Sequence, residues 1–307
     1  MPPLPACPAN PGNPEEKFTM RTWLLPLCLL AALGCGRGDS TSRALIQNKG
    51  SDTLVNVAQA WAEAYKTVDP NVAVAVTGGG SGTGISALIN GTVNIANASR
   101  KMKDSEIEQA RANGIEPVEF VVGYDALAVY VHKENPIAGF TLEQLADIYG
   151  ENGKTENWSQ LGVDVPGAKD GHIVRVSRQN NSGTYAYFKE AVLGPGHEYK
   201  LGSLDMHGSK DVVDLVAKTP GAIGYSGLAY ATDEVRLVPV SRGEGEPYVE
   251  PTEESAHDKS YPIARPLFMY TAGEPTGAVR AYLDWILSDA GQRIIRDKGY
   301  APVRQLD

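Results

Sequence analysis

Three times in this chain an apolar, strand-like run ends in a loop of glycine, serine and threonine and passes directly into a helical apolar pattern. That repetition points to an α/β fold, in which strands and helices alternate. The most informative junction spans residues 174–185, Val-Arg-Val-Ser-Arg-Gln-Asn-Asn-Ser-Gly-Thr-Tyr. Ile173, Val174 and Val176 favour a strand, and Tyr185, Phe188 and Val192 recur at helical spacing. Arg178 stands four residues before Ser182-Gly183-Thr184. The first-turn N–H groups of such a helix have no partners within it, and its dipole makes that end partly positive. Ser182 and Thr184 add hydroxyl donors, Gly183 lets backbone approach closely, and Arg178 offers a planar fork. These features suit a small tetrahedral oxyanion. An ordinary N-capped helix beside a surface arginine fits this segment equally well.

The second junction follows the alternating run Val72 to Val76. It reads Thr77-Gly78-Gly79-Gly80-Ser81-Gly82-Thr83-Gly84 and leads into a helix carrying Ile85, Leu88 and Ile89. Gly79 and Gly84 have P-loop spacing, but Ile85 stands where the phosphate-binding lysine would be. Gly82-x-Gly84-x-x-Ala87 matches a dinucleotide fingerprint only loosely, and a glycine turn without a ligand stays open. The third junction, Asn48-Lys49-Gly50-Ser51-Asp52-Thr53, precedes Leu54, Val57, Ala58, Trp61 and Tyr65, an amphipathic helix by spacing. Ser51, Asp52 or Thr53 could each simply cap it.

Further pieces join these three: Asn97-Ala-Ser-Arg100, Thr141-Leu-Glu-Gln-Leu-Ala-Asp-Ile-Tyr149 with Asn157-Trp158, and Pro220-Gly-Ala-Ile-Gly-Tyr225. In this order, across roughly residues 44 to 303, they resemble the phosphate-binding proteins of bacterial ABC-type phosphate uptake systems, which are type II solute-binding proteins. The resemblance implies two α/β lobes joined by two crossover segments, with ligand in a central cleft at helix N-termini. It also implies hinge closure on binding and delivery of inorganic phosphate to an ABC transporter permease by a monomer without cofactor or metal. The phosphate contacts it implies are Thr53, the Leu54 N–H, Ser81, Arg178, Ser182, the Gly183 N–H and Thr184.

One position departs from the family pattern. Near neutral pH phosphate carries a proton and sulfate does not, so a buried acceptor favours phosphate. Many members of the family supply that acceptor as the aspartate of a Ser-Asp pair, where this chain has Ser99-Arg100. Asp52 is the nearest carboxylate in sequence to a proposed contact. The expectation is that Asp52 accepts the phosphate proton and that Arg100 contacts the anion or holds Asp52. The alternative is that Asp52 caps the first helix and Arg100 makes a surface ion pair. Sulfate, molybdate or tungstate are the rival ligands.

The net charge of −9 is unchanged without residues 1–35, which hold two basic and two acidic residues. No basic patch argues for nucleic acid, and the overall field would not attract an anion, so binding must come from local dipoles and hydrogen bonds. Cys7, Cys28 and Cys35 all lie near the N-terminus, which leaves no disulfide within the folded region. Met20 to Cys35 has a short basic start, an apolar core and small residues before a cysteine, as in a signal peptide. Ala32-Leu33-Gly34-Cys35 resembles a bacterial lipobox, which implies lipidation at Cys35 and an extracytoplasmic, membrane-anchored protein, periplasmic or on the cell surface. Plain signal cleavage elsewhere is the alternative.

The expected organisation is a leader over residues 1–35, with 1–19 an upstream extension if Met20 is the start, and a linker over 36–43. Lobe 1 follows over 44–123, lobe 2 over 124–264, and the return to lobe 1 over 265–307. Four strand-like runs are expected between 44 and 122, the first crossing at Tyr124 to His132, a loop-like stretch from Gly243 to Lys259, and the return crossing at Pro266 to Thr271. Gly277 to Leu287 and Ala290 to Asp297 read as the final helices. The five histidines are scattered, without metal-ligand spacing, and Ser81 lacks the final glycine of a nucleophile elbow. A binding protein is therefore favoured over a phosphate-ester enzyme, although sequence leaves spatial pairing of a nucleophile and a base open.

Overall fold

The structure is a computed structural model, and it describes residues 43–306. The proposed leader, Cys35 and all but the last residue of the proposed linker lie outside the described residues. The elements begin with β1 (Ala44–Gly50), α1 (Val55–Val68), β2 (Val72–Thr77), α2 (Ser81–Ile89), β3 (Ile95–Ala98), α3 (Asp104–Ala112) and β4 (Val118–His132). Then come β5 (Phe140–Thr141), α4 (Leu142–Tyr149), β6 (Val174–Arg178), α5 (Gly183–Phe188), β7 (Leu204–Met206), α6 (Ser209–Lys218) and β8 (Ala222–Gly227). The chain finishes with β9 (Val235–Val238), β10 (Val240–Ser241), α7 (Glu253–His257), β11 (Ala264–Thr271), α8 (Gly277–Leu287) and α9 (Asp289–Asp297).

The fold is two-lobed α/β, built on one hydrogen-bonded path of strands, β2-β1-β3-β11-β4-β8-β6-β7. Pairing is parallel at both ends of the path, as strand–helix–strand units require, and antiparallel in the middle, where β11 and β4 run against each other. β4 belongs to both lobes. Its first part pairs with β11 from Val118↔Thr271 to Ala126↔Ala264, and its second part pairs with β8 and β9. The sequence pattern suggested a strand ending at Val122 and a separate crossing from Tyr124, but one strand runs through Gly123. A side chain there would collide with Ile295 and Ala301, so the glycine lets α9 lie close against an unbroken strand. A second difference lies in the stretch expected to be a loop, where Thr252 and Ser255 exchange hydrogen bonds and nucleate α7.

Helices cover both faces of the sheet in each lobe. The spacing of Val57, Ala58, Trp61 and Tyr65 puts them on one buried face of α1, where Val57, Trp61 and Tyr65 pack with Ile46, Leu267, Leu283 and Ile295. The Trp61 indole N–H is satisfied by the Gly291 carbonyl at 2.8 Å. Ile85 and Leu88 of α2 cover the opposite face with Ala98 and Phe268. In the other lobe Phe140, Trp158, Phe188 and Tyr225 form one core and Tyr130, Val176, Val212 and Val216 the other. These cores fix the ends of β1, β2 and β6, from which the Ser/Thr/Gly loops project. The final helices fall where their periodicity placed them. No described helix is long and apolar enough to cross a membrane.

Candidate functional site

The three Ser/Thr/Gly junctions, far apart in sequence, meet where the lobes touch. Thr53, from the β1–α1 turn, lies with its Oγ1 3.0 Å from Thr184 Oγ1 at the start of α5. Ser81, the first residue of α2, accepts the Ser99 N–H at 3.0 Å, and Ser51 donates its hydroxyl to Ser99 Oγ at 2.9 Å. Gly183 faces these serines so closely that a Cβ would fall 2.6 Å from Ser99 Oγ and closer still to Ser81 Oγ. Asn181 ties the loops together, donating to the Gly79 carbonyl at 3.0 Å and accepting the Gly82 N–H at 3.0 Å. Thr53, Ser81, Ser99, Ser182 and Thr184 are all buried.

Ser182 caps α5, its Oγ accepting the N–H groups of Thr184 (3.1 Å) and Tyr185 (3.4 Å). As an acceptor for the backbone it keeps its own hydroxyl hydrogen to donate elsewhere. The Leu54 N–H, expected to face a ligand, donates instead to the Ser51 carbonyl at 3.1 Å, because Ser51 to Leu54 close a tight turn.

Arg178, the last residue of β6, is buried, but its fork does not stand free. Nη2 donates to Asp52 Oδ2 (3.0 Å) and the His207 carbonyl (2.8 Å), Nη1 to Ser209 Oγ (3.0 Å), and Nε to the Met206 carbonyl (3.3 Å). One Nη1 hydrogen remains of the five N–H donors. Burial pushes the Arg178 pKa below its ordinary value, and Asp52 opposes that shift. Asp52 completes the link by accepting the Gly79 N–H at 2.8 Å on its other oxygen. No side-chain cap closes α1, so Asp52 is an inter-lobe ion-pair partner and not a helix cap.

Arg100 does not hold Asp52. It forms a two-pronged pair with Glu106, both contacts at 2.7 Å, and also donates to the Lys101 carbonyl. Glu106 is the third residue of α3 and also accepts the Lys103 N–H, so the start of that helix fixes Arg100. Nor is the pair a surface one, since Arg100 is buried.

Sequence reasoning did not single out Arg265 or Asp125. They face each other on β11 and β4, and both are about 1% exposed. Arg265 grips Asp125 Oδ2 through Nε (3.1 Å) and Nη2 (2.8 Å). Nη2 also reaches Thr184 Oγ1 (3.1 Å) and Thr53 Oγ1 (3.3 Å), and Nη1 donates to the Ser99 carbonyl (3.2 Å). Burial raises the Asp125 pKa against the lowering effects of Arg265 and the Leu228 N–H. The nearest sequence signal was an arginine at the mouth of an otherwise apolar crossing strand. Tyr230 was also missed, and its hydroxyl donates to the Asp52 carbonyl at 2.6 Å. Among the described residues no group of histidine, cysteine and carboxylate side chains could hold a metal.

Hydroxyls, helix starts and two buried arginines at the seam of two lobes that share crossing strands describe a solute-binding protein of the two-lobed type. The chain belongs to the PBP superfamily, whose domain profile matches residues 36–290, and within it to the phosphate-binding proteins of ABC-type transporters. It is 36% identical over 269 residues to the phosphate-binding protein PstS of Pseudomonas aeruginosa, covering 84% of this chain and 83% of that protein. Protein SphX of Synechococcus elongatus is 33% identical over 294 residues, covering 91% of this chain and 84% of that one. A crystal structure of a phosphate ABC transporter substrate-binding protein with bound phosphate, from Clostridium perfringens, superposes with a TM-score of 0.75 at 34% identity. It covers 85% of this chain and 100% of that one.

Proposed function

We propose that this chain binds inorganic phosphate outside the cytoplasm and passes it to an ABC-type permease. The observation that carries this reading is the meeting of Thr53, Ser81, Ser182, Gly183 and Thr184, from loops of both lobes, beside two buried arginines. The C. perfringens relative, similar over nearly its whole length, was crystallised with phosphate. Ligand contacts are assigned to the Ser81 and Ser182 hydroxyls, the paired Thr53–Thr184 hydroxyls acting together, the Gly183 N–H and the remaining Arg178 hydrogen. Asp52 is the acceptor proposed for the phosphate proton, since each of its oxygens, with one partner apiece, keeps a free lone pair.

Residues 44–123 and 265–307 are assigned to one lobe and 124–264 to the other, with hinge motion about β4 and β11. The protein acts as a monomer without cofactor, as a binding protein and not an enzyme, anchored through lipidated Cys35. Calorimetry should show phosphate binding that excess sulfate, molybdate or tungstate does not displace, and scattering should show compaction on adding phosphate. Stronger binding of another oxyanion would reassign the ligand, binding without compaction would remove the hinge, and turnover of a chromogenic phosphate ester would favour an enzyme. The anchor predicts detergent-phase partitioning that Cys35→Ser abolishes; a wild-type chain that stays in the aqueous phase contradicts it.

A further inference from the structure

The Arg265–Asp125 pair has more contacts than a strand-to-strand ion pair needs. Arg265 touches Thr53 and Ser99 of one lobe and Thr184 of the other, and its guanidinium carbon lies 5.8 Å from the centre of the Tyr187 ring. Counting donors shows what this does to the two threonines. One Nη2 hydrogen goes to Asp125 Oδ2 at 2.8 Å, and the other lies between Thr53 Oγ1 and Thr184 Oγ1. Arginine can only donate, so both hydroxyl oxygens are acceptors towards it. The two oxygens are 3.0 Å apart, so one hydroxyl hydrogen is spent between them. The second hydroxyl hydrogen has no partner among the described residues. The threonine pair therefore offers one oriented O–H donor at the lobe seam, and Arg265 fixes the direction of that donor.

We propose that Arg265, anchored by Asp125, is a positioning residue for the anion site, orienting the one hydroxyl donor that the Thr53–Thr184 pair leaves free and registering the two lobes against each other. This rests on the phosphate-binding reading above and deepens it. Asp125 has a second effect. It cancels the arginine's charge, so that Arg265 orients dipoles without acting as an indiscriminate anion trap. A lysine at 265 would keep the charge but could not keep Nε and Nη2 on Asp125 while also reaching both threonines and the Ser99 carbonyl.

The test is a double-mutant cycle read by phosphate calorimetry on the full chain, with thermal melting alongside. Arg265→Lys and Thr53→Val should each weaken phosphate binding by about tenfold or more. The double variant should be no weaker than the weaker single one, because both remove the same oriented donor. Asp125→Asn preserves shape but leaves the Arg265 charge uncompensated, and should tighten both phosphate and sulfate binding. Arg265→Gln takes its place in the cycle if Arg265→Lys does not fold. Additive losses in the cycle would overturn the positioning role, and an Asp125→Asn protein whose anion affinity is unchanged or lower would overturn the charge cancellation. A wild-type protein that does not bind phosphate overturns the function itself and this role with it. Normal wild-type binding with additive losses overturns this role alone.

Discussion

Gly183→Ala should keep the lobes from closing while leaving each lobe intact. The backbone at Gly183 is helical and tolerates alanine, so the whole cost is steric. The new methyl would lie 2.6 Å from Ser99 Oγ and nearer still to Ser81 Oγ, well inside ordinary contact distance. Neither serine can retreat cheaply. Ser81 Oγ accepts the Ser99 N–H, and Ser99 Oγ is held by the Ser51 hydroxyl. Forcing one methyl into a packed site costs about 1–3 kcal/mol. The lobes can escape that cost by opening, so it falls on the closed population and weakens phosphate binding by about 5- to 150-fold. Calorimetry gives the affinity, scattering the compaction, and the melting temperature without ligand should stay near the wild-type value. Wild-type affinity and compaction in Gly183→Ala would refute the reasoning, because the serine wall would then be soft or the closed geometry different.

Three further outcomes follow from charge. Asp52→Asn should narrow the preference for phosphate over sulfate, chiefly by raising sulfate affinity; an unchanged ratio in competition calorimetry would place the acceptor elsewhere. Glu156 is held at about 2, below its ordinary 4.5, by Lys200 and Arg175, both in contact with it. A depressed carboxylate stabilises fully above its unfolded value and loses that contribution as pH falls through its folded one. The melting deficit of Glu156→Gln should therefore be present at pH 7 and shrink between pH 4.5 and about 2; a deficit independent of pH contradicts the pairing. Phosphate affinity should change little between low and moderate salt, since the site's charges are buried and paired; a steep salt dependence would point to exposed basic residues.

What the sequence revealed and what it hid divide along one physical line. A loop of glycine and hydroxyl residues between a strand pattern and a helical pattern is local information, and with the family resemblance it singled out Thr53, Ser81, Ser182, Gly183 and Thr184, which the fold brings together. Periodicity was also enough for α1, α8 and α9, whose buried faces follow their apolar spacing. Arg265 and Asp125 are 140 residues apart, and only the antiparallel register of β11 on β4 sets them opposite each other. Nothing local encodes that register. Arg100 is a different case, because its partner Glu106 stands six residues away at the start of α3. Capping logic applied to that helix would have found the carboxylate. The family position next to Ser99 drew the reading towards the ligand instead.

The arrangement also explains how a chain of net charge −9 can hold an anion at all. The two arginines buried at the lobe seam do not stand as free positive charges. Arg178 is matched by Asp52 and Arg265 by Asp125, and removing one partner of such a pair typically costs about 3–5 kcal/mol. The charged groups thus sum to nearly zero, and most of the attraction left for a ligand comes from oriented neutral donors: the Ser81 and Ser182 hydroxyls, the one hydroxyl hydrogen that the Thr53–Thr184 pair leaves free, and the N–H at the start of α5. Donors of that kind are preorganised by the cores beneath them and need no reorganisation when the ligand arrives. They are also selective by geometry, because a hydroxyl held as a donor rewards an oxygen at one place and not negative charge in general. On this reasoning the two aspartates matter as much as the two arginines, since they convert a pair of cations into a rigid frame for hydrogen bonds.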